Sequence, residues 1–114
     1  MDLDTLASAI RNASNDPGAS KLADLLIGWK DSDSNATELE RDVERFVGNI
    51  WIADAAEHGK IYSLWSSFRG NVIHEIGGMT MNERLYHFGL FPRWDSTHSD
   101  EGRKAIYAKL LGNP

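Results

Sequence analysis

Apolar residues return along this chain at helical spacing. Leu3, Leu6, Ala7, Ile10 and Ala13 fall at i, i+3, i+4, i+7 and i+10, which predicts the buried face of a first helix. Asp16 before Pro17 predicts an N-cap with proline at the first helical position, and Leu22, Leu25, Leu26 and Trp29 form the stripe that follows. Asp31-Ser32-Asp33-Ser34-Asn35 then reads as an exposed loop, because these side chains compete for backbone hydrogen bonds. Thr37-Glu38-Leu39-Glu40 has the form of a capping box. It would open a third helix buried along Leu39, Val43, Phe46, Val47, Ile50 and Trp51.

Asp54 restarts the pattern, and Ile61, Leu64, Trp65, Phe68, Val72 and Ile76 carry it until Gly77-Gly78. A second box at Thr80-Met81-Asn82-Glu83 leads to Leu85 and Phe88, with Gly89 as the C′ residue. Pro92 makes Leu90 to Asp95 a turn or a short helical piece. Ser99 or Thr97 caps a last helix bearing Ile106, Tyr107, Leu110 and Leu111, ended by Gly112 and Pro114. No segment alternates with period two, and no Asn-Gly or Asp-Gly turn joins two β-rich runs. The expected fold is all-α: a single-domain bundle of five or six amphipathic helices over residues 1–114.

Composition narrows the function more than the fold. The 114 residues carry 12 Lys+Arg against 17 Asp+Glu, a net charge of −5, which disfavours a protein that mainly grips phosphates. Without cysteine the chain has no disulfide, thiolate metal site or thiol nucleophile. Met1-Asp2-Leu3-Asp4 lacks the basic and apolar regions of a secretory signal, and apolar runs such as Ile50 to Ala53 are far below membrane-spanning length. A cytoplasmic protein with no membrane partner is expected. The acidity is also local. Residues 31–57 hold eight acids and two bases, whereas residues 58–114 hold five acids and seven bases. The acidic stretch reads either as a solvated helix face whose acids complement the helix dipole or, since packing like charges within two helical turns costs stability through repulsion, as a docking surface for a basic partner.

Reactive machinery is sparse. The pairs Asp54/His58 and Glu83/His87 lie at i, i+4, but neither Glu-x-x-His nor His-Glu-x-x-His occurs. Serines are plentiful, yet none sits in a Gly-x-Ser-x-Gly elbow, and Asp95, Ser96, His98 and Ser99 are neighbours on a loop rather than a held triad. Trp29, Trp51 and Trp65 fall on apolar stripes. Trp94 stands beside Arg93 in the irregular stretch, as a binding hot spot or as a plug folded onto the bundle with Arg93 paired to Asp95.

The string from Met79 to Asp95 resembles a segment of small bacterial proteins of unassigned function. In those, Asn-Glu-Arg-Leu-(Tyr/Phe) precedes Gly-Leu and then an aromatic-Asp pair. The matching residues are Asn82, Glu83, Arg84, Leu85, Tyr86, Gly89, Leu90, Trp94 and Asp95. That resemblance brings no catalytic residue with it. In size and acidity the chain also resembles the toxin-neutralising immunity proteins of interbacterial competition, many of which cover a basic nuclease or other toxin domain.

The leading expectation is a non-enzymatic, cofactor-free binding module, immunity- or antitoxin-like, docking a basic toxin or effector domain. Asp31, Asp33, Glu38, Asp42 and Glu57 would be the contacts, joined by Tyr62 and Arg69. One alternative is a helical regulator or adaptor that binds nucleic acid through Arg84, Arg93, Arg103, Lys104 and Lys109, which the net charge disfavours. Another is a metal-dependent enzyme built on Asp54/His58 and Glu83/His87.

Overall fold

A computed structural model of the protein describes residues 1–49 and 52–113. Seven α-helices follow one another in the described residues: α1 (Leu3–Ala13), α2 (Pro17–Trp29), α3 (Ala36–Asn49), α4 (Ala55–Phe68), α5 (Met81–His87), α6 (Phe91–Ser96) and α7 (Asp100–Lys109). No strand occurs among them, so the chain is all-α. No described helix is long and apolar enough to cross a membrane. The helix count exceeds the expected five or six because the stretch after Gly89 is itself helical. Pro92 lies in the first turn of α6, where a missing N–H costs nothing.

Six of the seven helices open on a side-chain oxygen that accepts a backbone N–H: Asp2, Asp16, Asn35, Asp54, Thr80 and Ser99. Asp16, Asp54, Thr80 and Ser99 are where the sequence places caps. The box of α3 lies two residues earlier than expected. Asn35 Oδ1 accepts from the Glu38 N–H and Glu38 Oε1 accepts from the Asn35 N–H, both at 2.9 Å. Thr37 is left as an exposed residue inside the helix.

The buried residues form one cluster, to which α1 contributes Leu3, Leu6, Ala7 and Ile10 and α2 contributes Leu22, Leu26 and Trp29. Four aromatic rings run through it. Trp29 meets Phe88 at 5.3 Å between centroids, Phe88 meets Phe68 edge-on at 5.8 Å, and Phe68 stacks on Trp65 at 6.2 Å. This chain ties the C-terminal end of α2 to α4 and to the end of α5. Ile50 and Trp51, expected on the α3 stripe, and Pro114 lie outside the described residues.

Beyond Phe68 the helix widens into a π-turn, Arg69–Ile73, in which the His74 N–H reaches the Arg69 carbonyl five residues back. The extra residue brings both Val72 and Ile73 into the core, where a strict α-helical stripe takes only Val72. At the end of α5, Gly89 takes φ +67° and closes a Schellman motif: its N–H reaches the Tyr86 carbonyl, and the Leu90 N–H reaches that of Leu85 at 2.9 Å. The end of α7 repeats the motif one residue off register. Leu111, not Gly112, takes the left-handed position, at φ +58°.

Candidate functional site

Loop 31–35 leaves α2 directly after Trp29 and is fastened from several sides. The Trp29 indole N–H donates to the Asn35 carbonyl at 3.0 Å, the Ser32 hydroxyl donates to the Trp29 carbonyl at 2.8 Å, and the Asn35–Glu38 box closes the far end. Beneath the loop lies Lys109 of α7, only 7% exposed. Its ammonium donates to the Ser32 and Ser34 carbonyls, each at 2.7 Å, and sits 4.1 Å from the centre of the Trp29 ring. No carboxylate lies within ion-pair distance of it among the described residues. Burial, with help from the neighbouring Arg93, pushes the Lys109 pKa down to about 8 against the pull of Asp33 and Glu38. The loop backbone thus rests on an internal cation while Asp31 and Asp33 face outward, both exposed.

Arg93 of α6 pairs with Asp31 across the loop, not with Asp95 as the sequence suggested. Two residues apart on α6, Arg93 and Asp95 leave the helix in different directions. A cavity of about 280 Å³ opens between the loop, Thr97 and α7, with Lys109 and Ile106 in its wall. An adjoining cleft of about 590 Å³ shares Asp31, Arg93 and Thr97 and extends to Ile27 and Pro92.

The other expected contacts lie elsewhere. Glu38 is spent on the α3 cap, half-buried. Asp42 pairs with its neighbour Arg41 at 3.4 Å and borders a groove between α2 and α3. Tyr62 and Arg69 are brought together, but by an internal network: Arg69 pairs with Glu44 of α3 and donates to the Ser66 hydroxyl, while the buried Trp65 N–H donates to the same Glu44 carboxylate at 2.9 Å. The Tyr62 hydroxyl first, then Glu44, raise the Arg69 pKa against partial burial. Glu57 stands in the first turn of α4, twelve residues before Arg69, or about 18 Å of helix rise.

The acidic stretch is therefore not one patch. The exposed residues of α3 are Thr37, Arg41, Arg45, Gly48 and Asn49, and its carboxylates Glu38, Glu40, Asp42 and Glu44 are half-buried on the flanks. Glu40 meets His74 at 2.7 Å. Arg69 and Arg93 each bring one positive charge from outside the stretch, which lowers its surplus of six negative charges to four.

The 79–95 string is mostly scaffold. Glu83 and Thr80 form the reciprocal box of α5, and the Thr80 backbone N–H, then its hydroxyl, hold the Glu83 carboxyl below its usual range. Arg84 donates to the Met79 and Leu110 carbonyls and so ties α5 to the end of α7. Leu85, Phe88 and Leu90 are core. Trp94 is half-buried against Tyr107, with the Arg103 guanidinium 4.8 Å above its ring. Asn82, Tyr86 and Asp95 remain exposed, Tyr86 at 56%.

Of the five bases that the nucleic-acid reading invokes, Arg84, Arg93 and Lys109 are committed to other elements and Arg103 donates to the Thr97 carbonyl at 3.0 Å, which leaves Lys104 without a side-chain partner among the described residues. Asp54 and Glu83, the carboxylates of the two chelate-like pairs, each cap a helix. No three of His, Asp or Glu converge as a metal-holding group among the described residues. Lys109 is buried, contrary to the surface role that the nucleic-acid reading gives it. The available signal was its position three residues after Ile106 and one before Leu110, on the buried side of α7. Comparison of the chain with protein-family models, with curated proteins and with solved structures finds no match.

Proposed function

We propose that the chain is a non-enzymatic protein-binding module, immunity- or antitoxin-like, that docks a basic toxin or effector domain through loop 31–35. The observation that supports this reading is the loop's construction. Its backbone carbonyls are held from below by the Lys109 ammonium and its ends by Trp29 and the Asn35–Glu38 box, while the Asp33 carboxylate stands exposed with no ion-pair partner among the described residues. A loop fixed in advance pays less ordering entropy on binding, and its unpaired carboxylate meets a partner's cation without first breaking an internal bridge. Occlusion follows: carboxylates engage the Lys or Arg side chains that the partner uses on its own anionic substrate. Asp42, Glu57, Tyr62 and Arg69 lie apart from this loop, so the docking surface centres on Asp33, with Asp31, paired to Arg93, and Glu38, bonded in the α3 cap, at its edge.

The test is affinity capture from the native host with the wild-type chain and with Asp33→Lys as parallel baits. The expected result is a retained protein with a basic domain, present on the wild type and depleted on the variant. Retention of the same proteins on both baits, or of an acidic protein as the specific partner, overturns the reading.

A further inference from the structure

A second surface, centred beyond loop 31–35 and argued independently of the reading above, lies on the flank of α3 that faces α2. There a groove of about 360 Å³ runs between α2 and α3, lined by Leu25, Asp42, Arg45, Phe46 and Asn49. Leu25 and Phe46 are half-buried against the core, so each presents part of an apolar side chain to the groove. The groove's two charges are opposite and three residues apart on one helix. Arg45 makes no ion pair among the described residues, and Asp42 meets only its sequence neighbour Arg41, at 3.4 Å.

The geometry points to a second copy of this chain as the occupant, its α3 laid antiparallel over the groove about a two-fold axis between positions 42 and 45. That operation carries each residue i of α3 onto position 87 − i. Asp42 then faces Arg45 of the second copy and Arg45 faces its Asp42, giving two ion pairs from one self-complementary surface. The same axis sets Glu38 opposite Asn49 and Phe46 opposite Arg41, a cation over an aromatic ring. A uniformly basic or acidic partner would meet one like charge in this groove, whereas a copy of the chain meets none. Exposed ion pairs add little affinity, so Leu25 and Phe46 hold the pairing and the charges set its register.

Sedimentation equilibrium over a concentration series tests the proposal, with circular dichroism confirming that each variant is folded. The wild type is expected to dimerise reversibly. Asp42→Arg and Arg45→Asp should each weaken the dimer by about tenfold or more, because each places two like pairs across the axis. The double variant D42R/R45D restores opposite charges at both contacts and should recover the wild-type constant. Mixing the two single variants should give a heterodimer, since one then carries only bases and the other only acids at these positions. A wild type that stays monomeric throughout, or a double variant no better than the singles, overturns the assignment.

Discussion

Lys109 follows Ser34 by 75 residues, yet its ammonium donates to the Ser34 carbonyl at 2.7 Å and makes the C-terminal helix the floor of an acidic loop. Lys109→Met removes that cation while keeping most of the apolar stem. The Ser32 and Ser34 carbonyls lose their donor, at a cost of about 1 kcal/mol in folding stability. Hydrogen exchange of the amides of residues 31–35 should accelerate relative to those of α1, which shares no contact with the ammonium. Unchanged exchange in the loop would show that Trp29 and the Asn35–Glu38 box fix it alone.

The same lysine sets a pH dependence. Its folded pKa is pushed down to about 8, below the ordinary value of 10.5 that it regains on unfolding. Between those two values the unfolded chain binds more protons than the folded one, so this group makes stability rise with pH across that window, by at most about 1.4 kcal/mol per pH unit. Seen from the other side, that contribution is present above the unfolded pKa and is lost as pH falls through the folded one. Urea midpoints for wild type and Lys109→Met at pH values across the window should diverge upward for the wild type. Parallel profiles would contradict the burial-driven shift.

Leu111 holds a left-handed backbone, φ +58°, with its side chain 40% exposed. A β-carbon is strained there and little apolar surface is gained in return. Leu111→Gly should raise stability by about 1 kcal/mol, read as a higher denaturation midpoint. A lower midpoint would mean that the Leu111 side chain contributes more packing than its exposure implies.

Gly89 is the opposite case. It needs φ +67°, and a β-carbon there would come within 2.6 Å of Asp4 Oδ2 and 3.1 Å of Lys30 Nζ, the two ends of an ion pair. Gly89→Ala should lower stability by about 1–2 kcal/mol, most of it backbone strain, since the contacting atoms end mobile side chains. Gly77→Ala, where a β-carbon meets nothing within 4 Å, is the control and should change the midpoint far less.

What the sequence disclosed and what it hid divide along the distance over which each interaction acts. The caps at Asp16, Asp54, Thr80 and Ser99 were readable because a cap is a contact within three residues. The choice of Asn35 over Thr37 was not. Both residues have a Glu three positions on, and the indole of Trp29, bonded to the Asn35 carbonyl, favours the earlier frame. Counting charge along residues 31–57 gave the right total but not its arrangement. The total does not register that His74, Arg69 and Arg93 arrive from distant elements to meet Glu40, Glu44 and Asp31. Lys109 looked like a surface base suited to phosphate because a sequence shows the charge and not the pair of carbonyls waiting for it.

Asp33 is the exposed carboxylate of a loop fixed in advance, and docking through it sets the rate of encounter with a basic partner. The most direct test is the association rate of the captured basic partner with wild type and Asp33→Lys, measured by stopped flow at low and at high salt. Association of Asp33→Lys should be slowed by about tenfold at low salt, with the difference shrinking as salt screens the encounter. Equal rates for the two proteins at low salt would contradict docking through Asp33.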